Sequence, residues 1–154
     1  MDAERIIIQL PSRPENLSLA RVIVTAFAAR LDFTVAESEE ISVAVSEAVS
    51  NCIIHGYGNG PGQILMELAV TEDGSLEVVI ADRGKGIEDV DQARQPAFTT
   101  SEDRMGFGFV FMESFMDQLE VTSAPGRGTT VVMRKRPERE GIDRAAAGQR
   151  LSDE

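Results

Sequence analysis

The chain has no tryptophan, one cysteine, one histidine and one tyrosine among its 154 residues, and aromatic side chains make up only 5%. Its core must therefore be built from Val, Ile, Leu, Ala, Met and Phe. A single cysteine, Cys52, excludes an intramolecular disulfide. It falls on the apolar spacing of a helix and reads as a small core residue rather than a reactive thiol. With one histidine, His55, and no cysteine cluster, a Cys/His zinc site is excluded. No apolar run approaches the roughly 20 residues that cross a bilayer. The first residues also lack the basic-then-apolar build of a secretory leader. A cytoplasmic protein without a membrane anchor is the resulting expectation. Basic residues are outnumbered, 15 Lys and Arg against 26 Asp and Glu, for a net charge of −11. A protein that grips nucleic acid draws much of its affinity from cations on phosphates, so direct nucleic-acid binding is not expected.

What is present has the size and patterning of one domain. A β-branched run, Ile6 to Leu10, predicts a strand ended by Pro11. Leu19, Val22, Ile23, Ala26, Phe27 and Leu31 recur at helical spacing after Pro14. Thr34 or Ser38 caps a second helix, whose buried stripe is Ile41, Val45, Ala48, Val49, Cys52 and Ile53 and whose terminator is Gly56. Ile64–Val70 and Leu76–Ala81 read as strands joined by a hairpin. A polar stretch from Gly84 to Met105 has little periodicity and the length of an active-site lid. A helix over 107–116 and strands over 119–122 and 129–133 complete the pattern. These elements predict a two-layer α/β (α+β) sandwich, a mixed sheet with helices packed on one face. The domain spans 1–136, and 137–154 reads as a charged, mobile tail.

The chemistry concentrates in three places. Glu47 and Asn51 are one helical turn apart and share a face. Such a pair is ordinarily just a solvated helix surface, but the segment from Ile41 to Gly56 contains no Lys or Arg. A carboxylate and an amide without a nearby cation suit a hard divalent ion such as Mg²⁺, and a Glu beside a nucleophile can take its proton. His55 continues the same stripe and by itself reads as a hydrogen-bonding residue at a helix end. Asp82-x-Gly84-x-Gly86 follows a strand; its carboxylate can accept from the amino group of a base, and its glycines permit close backbone approach. Gly106-x-Gly108 precedes a helix, where exposed N–H groups bind anions. Neither a phosphate-binding G-x-x-x-x-G-K-[ST] loop nor the motif set of eukaryotic protein kinases occurs. Each element alone is weak. Together they supply a base, a metal ligand, an aspartate for a base edge and glycines for phosphates.

Their order, Glu/Asn helix, D-x-G-x-G, lid, G-x-G helix, resembles the histidine-kinase-like (GHKL) ATPase superfamily. Three longer segments, Ser46 to Tyr57, Ala93 to Thr100 and Met112 to Asp117, look like the anti-sigma F family of endospore-forming bacteria. The resemblance runs from about residue 6 to 135. It implies a Bergerat-type ATP-binding fold with ATP and Mg²⁺ as cofactors. Carried over residue by residue, it implies that Glu47 is the general base and Asn51 the Mg²⁺ ligand. Asp82 would hold the adenine amine in a pocket shaped by Gly84 and Gly86, with Thr130 nearby. Residues 88–105 would form the ATP lid, containing Thr99 and Thr100, with Arg104 reaching the phosphates. Gly106 and Gly108 would meet the phosphates through backbone N–H groups. Arg21 would belong to a partner-binding face.

The implied activity is that of a serine protein kinase. It would bind and inhibit a sporulation sigma factor of the sigma F type and phosphorylate a serine of an anti-anti-sigma partner. The resemblance further implies a homodimer joined through an exposed sheet edge. Two other readings stay open at this point: a stress-response anti-sigma kinase of the sigma B type, and a nucleotide-binding module that sequesters its partner without turnover. A histidine kinase would need a separate helical domain carrying its phospho-accepting histidine. Such a domain does not fit in 154 residues.

Overall fold

The structure, a computed structural model, describes residues 4–95 and 104–138. In chain order the elements are β1 (Arg5–Pro11), α1 (Asn16–Ala28), α2 (Val35–Asn51), a π-helical turn (Cys52–Gly56), β2 (Gln63–Val70), β3 (Leu76–Asp82), a short α3 (Val90–Ala93), α4 (Arg104–Phe115), β4 (Gln118–Ser123) and β5 (Thr129–Lys135). Thr34, rather than Ser38, caps α2. Its hydroxyl accepts from the Glu37 N–H while the Glu37 carboxylate accepts from the Thr34 N–H, a reciprocal box. The partner of the box lies at Glu37, ahead of the Ser38 alternative.

The strands form one five-stranded sheet in the order β1-β2-β3-β5-β4. Every neighbouring pair is antiparallel, so the expected mixed sheet is corrected. Two helices between β1 and β2 return the chain to the end it left, and β2 therefore runs against β1. The strands on either side of α4, β3 and β4, do point the same way. They are not neighbours, because β5 enters between them and is antiparallel to both.

Side chains alternate across the sheet. Ile64, Met66 and Leu68 of β2, Leu76, Val78 and Ile80 of β3, and Val131 and Met133 of β5 are buried against the helices. From α2, Ile41, Ala44, Val45, Ala48 and Val49 meet them, joined by Val24 and Phe27 of α1 and by Phe109 and Met112 of α4. The other sheet face carries charged residues paired across strands: Arg5 with Glu67 (2.6 Å) and Arg134 with Glu77 (2.7 Å).

The folded body extends slightly past the expected boundary at residue 136. Pro137 is buried, and the Glu138 N–H donates to the Glu37 carboxylate of α2 at 3.3 Å. Residues 139–154 of the expected tail lie outside the described residues.

Candidate nucleotide site

The site lies between α2 and the adjoining ends of β3 and β5. A narrow cavity there is lined by Ala48 and Asn51 of α2, by Cys52, His55 and Gly56 of the π turn, and by Ile80 and Asp82 of β3. Gly86 and Ile87 line it from the turn after β3, Phe109 from α4, and Thr129 and Val131 from β5.

The last turn of the site helix departs from the expected α-helix. α2 ends at Asn51, and the next turn is π-helical, closed by the Tyr57 N–H donating to the Cys52 carbonyl at 2.9 Å. Such wider turns recur at functional sites. The Gly56 carbonyl turns out to accept the Lys85 N–H at 2.9 Å, tying the helix end to the Asp82-x-Gly84-x-Gly86 turn. Tyr57 adds a second tie: its hydroxyl accepts from the Arg83 N–H at 2.8 Å and donates to the Gln63 carbonyl at 2.5 Å.

Asp82 ends β3 with only 7% of its surface exposed. Its Oδ1 accepts the Gly84 N–H at 2.8 Å, which fixes the carboxylate plane. The glycines around it serve backbone packing first. A β-carbon on Gly84 would lie 2.0 Å from the Gly56 carbonyl oxygen, and one on Gly86, at φ +74°, would lie 2.0 Å from the Ala124 carbonyl oxygen. The sequence pointed to glycines that admit a ligand; in the fold Gly84 and Gly86 admit the π turn and the β4–β5 turn, which together shape the pocket floor.

Cys52 is a core residue, 4% exposed, that also touches the cavity. Burial pushes its thiol well above the ordinary value, and the neighbouring Asp82 carboxylate pushes it in the same direction. It stays protonated and unreactive.

Glu47 and Asn51 share one face of α2, as expected from their spacing, and Asn51 lines the cavity. α4 packs directly over them. A β-carbon on Gly108 would lie 3.0 Å from Glu47 Oε2 and 3.4 Å from Asn51 Nδ2. The helix begins at Arg104, earlier than expected. Both Gly106 and Gly108 fall inside α4 as described, rather than ahead of it. Gly108 in this arrangement is a close-packing position against the Glu47 and Asn51 face of α2.

Thr130 is also corrected. Asp82 pairs in register with Thr129, and Ala81 with Thr130. Alternation then places Thr129 on the cavity side with Val131, and Thr130 on the opposite face. The Thr129 hydroxyl lies 2.9 Å from Ser123 Oγ. Ser123 donates its single proton to the Gly128 carbonyl at 2.8 Å and accepts the Ile87 N–H at 2.7 Å. Thr129 is therefore the donor to Ser123, and its oxygen retains acceptor capacity.

Thr99 and Thr100 lie outside the described residues, and of Arg104 only its place at the start of α4 is described. Arg21 is exposed on α1, far along the sequence from the cavity, and is flanked by exposed Leu19 and Val22. Sequence reasoning missed Thr129, Phe109, Tyr57 and the π turn. The run Gly128-Thr129 after a turn was a usable signal for the first; nothing local marks the others.

Among the described residues no group of three or more His, Cys, Asp or Glu side chains could hold a metal by itself. The Nδ2 of Asn51 is buried without a hydrogen-bond partner among them. That buried NH₂ is a donor, so a ligand that satisfies it is an acceptor such as a phosphate oxygen. The oxygen of the same amide is the atom type that Mg²⁺ takes, with phosphate oxygens and water completing the ion's shell.

Comparison with known proteins agrees with this geometry. Residues 10–135 match the model of the histidine kinase-like ATPase domain. The anti-sigma F factor of Thermoanaerobacter sp. (strain X514) is 52% identical over 126 residues, covering 80% of this chain and 87% of that one. The chain belongs to the anti-sigma F family of histidine kinase-like ATPase domains. The anti-sigma F factor of Geobacillus thermodenitrificans is 49% identical over 130 residues, 83% of this chain and 89% of the relative. Among solved structures, the RsbU and RsbW domains of Rv1364c from Mycobacterium tuberculosis superpose with a TM-score of 0.63 at 21% identity. That match covers 86% of this chain and 32% of the other, and it shows the shared fold. Family membership makes this an ATP-binding domain of the anti-sigma type. No helix among the described residues is long and apolar enough to cross a membrane.

Proposed function

We propose that this protein binds and inhibits a sporulation sigma factor of the sigma F type, and that it uses Mg-ATP to phosphorylate a serine of an anti-anti-sigma partner. The observation that supports the catalytic half is that Glu47 lies beside Asn51 under Gly108 of α4, and Asn51 lines a cavity that Asp82 also lines. Asp82 accepts from the adenine amino group, with Thr129 as a second acceptor beside it. Asn51 offers its amide oxygen to Mg²⁺, and the ion when bound offsets charge on the transferring phosphoryl group. Gly106 would meet the phosphates through its backbone N–H, and Arg104 would reach them. Glu47 takes the proton of the incoming serine hydroxyl as its oxygen bonds to the γ-phosphorus and ADP departs. Thr99 and Thr100 belong to the lid over the nucleotide.

Arg21, with exposed Leu19 and Val22 beside it, forms the partner-binding face. The protein works in the cytoplasm as a homodimer, for which the sheet offers β1 and β4 as edges. The test is phosphorylation of a purified anti-anti-sigma protein, with the modified residue identified by mass spectrometry. Glu47→Ala is expected to lower the rate by at least about a hundredfold. Transfer at the unmodified rate by Glu47→Ala overturns the catalytic assignment.

A further inference from the structure

Arg83, Lys85 and Arg127 stand together at one end of the sheet. The first two lie in the turn after β3, and Arg127 lies in the turn between β4 and β5. All three are exposed, and none of their side chains forms an ion pair or hydrogen bond among the described residues. Arg5, Arg30, Arg94, Arg134 and Lys135, by contrast, each reach a carboxylate. Backbone contacts lock the two turns against each other. The Gly126 N–H donates to the Lys85 carbonyl at 2.7 Å, and the Ile87 N–H donates to Ser123 Oγ at 2.7 Å. A β-carbon on Gly128 would lie 2.8 Å from the Arg83 Cα. Segments distant in sequence thus hold the three cations on one rigid edge. Asp82, the carboxylate beside them, is buried and accepts the Gly84 N–H. The exposed acids that follow, Glu88 and Asp89, pair with none of the three, and Asp89 is engaged on the Gln92 N–H at the start of α3. In a chain of net charge −11, this edge is a local reversal of sign.

We infer that this edge is a docking surface for an acidic segment of a partner protein, held by Arg83, Lys85 and Arg127. Charge complementarity supplies the recognition. Cations on a rigid pair of turns steer an oppositely charged segment during encounter and fix its register once it is bound. Nucleic acid fits this edge less well, because the net charge of −11 repels a long polyanion and so few cations neutralise few phosphates. A bilayer surface also fits less well. None of the exposed large apolar side chains among the described residues belongs to either turn, so nothing here would insert between lipids. None of the three cations lines the nucleotide cavity, so docking at this edge needs no nucleotide.

The experiment titrates the full chain into a fluorescent peptide of about ten glutamates and reads anisotropy at about 50 mM and about 200 mM salt. Wild type should bind the peptide and lose at least about fivefold in affinity across that range, the mark of an exposed charge contact. The triple variant Arg83→Gln, Lys85→Gln, Arg127→Gln should bind at least about tenfold more weakly at the lower salt, since exposed ion pairs are individually small and three are removed together. Arg136→Gln removes an exposed cation beyond the opposite end of β5 and should change affinity less than about twofold. Equal melting temperatures of wild type and the triple variant separate loss of charge from loss of fold. No binding by wild type, an unchanged affinity in the triple variant, or an equal loss in Arg136→Gln overturns the assignment. Tighter binding to an oligothymidylate of matched charge, or to phosphatidylserine vesicles, than to the peptide overturns it in favour of nucleic acid or membrane. If the triple variant does not fold, Lys85→Gln and Arg127→Gln are tested singly: each should weaken peptide binding by about twofold or more, and no loss in either overturns the assignment.

Discussion

Gly108 of α4 lies against Glu47 of α2 so closely that a β-carbon on the glycine would come within 3.0 Å of the carboxylate oxygen. Alanine normally favours a helix over glycine by about 1 kcal/mol. Gly108→Ala should therefore hold or raise the melting temperature while displacing the Glu47 carboxylate. Phosphoryl transfer is expected to drop at least about tenfold, since small misplacements of reacting groups cost that much or more. Paired thermal melts and transfer rates check it: an active, equally stable Gly108→Ala protein would show that the contact is packing alone.

The two adjacent threonines of β5 should separate cleanly. Thr129→Val removes a hydroxyl that faces the cavity and bonds Ser123. ATP affinity should fall by up to about tenfold, the value of one hydrogen bond. Thr130→Val, on the other face of the strand, should leave ATP affinity unchanged. Titration of ATP into both variants makes the comparison, and the reverse ranking would mean that the β3–β5 register is shifted by one residue.

The start of α2 is held by the Thr34–Glu37 box, and Glu37 also accepts the Glu138 N–H. Thr34→Ala should cost about 1 kcal/mol of stability. Glu37→Ala should cost more, because it frees two amides, those of Thr34 and Glu138, one of which ties the end of the folded chain to the helix. Chemical denaturation midpoints give the ranking; equal losses would remove the Glu138 link from the account.

Asp73 in the β2–β3 turn accepts from the Thr71 hydroxyl and from the Ser75 N–H at 3.1 Å. Its carboxyl is lowered from 3.8 to about 2, chiefly by the bond from the Thr71 hydroxyl. The folded value lies below the unfolded one. The turn's contribution is therefore complete above about pH 4 and is lost as pH falls towards about 2. Asp73→Asn should flatten the acid limb of the stability curve in that window. A parallel limb in the variant would place the acid sensitivity elsewhere.

Much of this was legible from local pattern. The 3.6-residue period exposed α1 and α2, alternation exposed β2 and β3, and helical spacing put Glu47 and Asn51 on one wall. These signals survive folding because they follow from backbone geometry within a few residues. The position of Asp82 at the end of a strand is of the same kind. Other features had no local mark. Whether the cavity receives Thr129 or Thr130 depends on which residue of β3 each faces, a pairing across nearly fifty residues of chain. The antiparallel sheet arises because β5 inserts between β3 and β4, the two strands that flank α3 and α4 in the chain. Gly106 and Gly108 look equivalent as sequence, but only in the fold does Gly108 come against Glu47. The sequence by itself determined the elements, the family and the helix face shared by Glu47 and Asn51, since these are short-range or compositional. The opposite wall was decided only by tertiary structure, because register, helix start and the π turn are settled by contacts between distant segments.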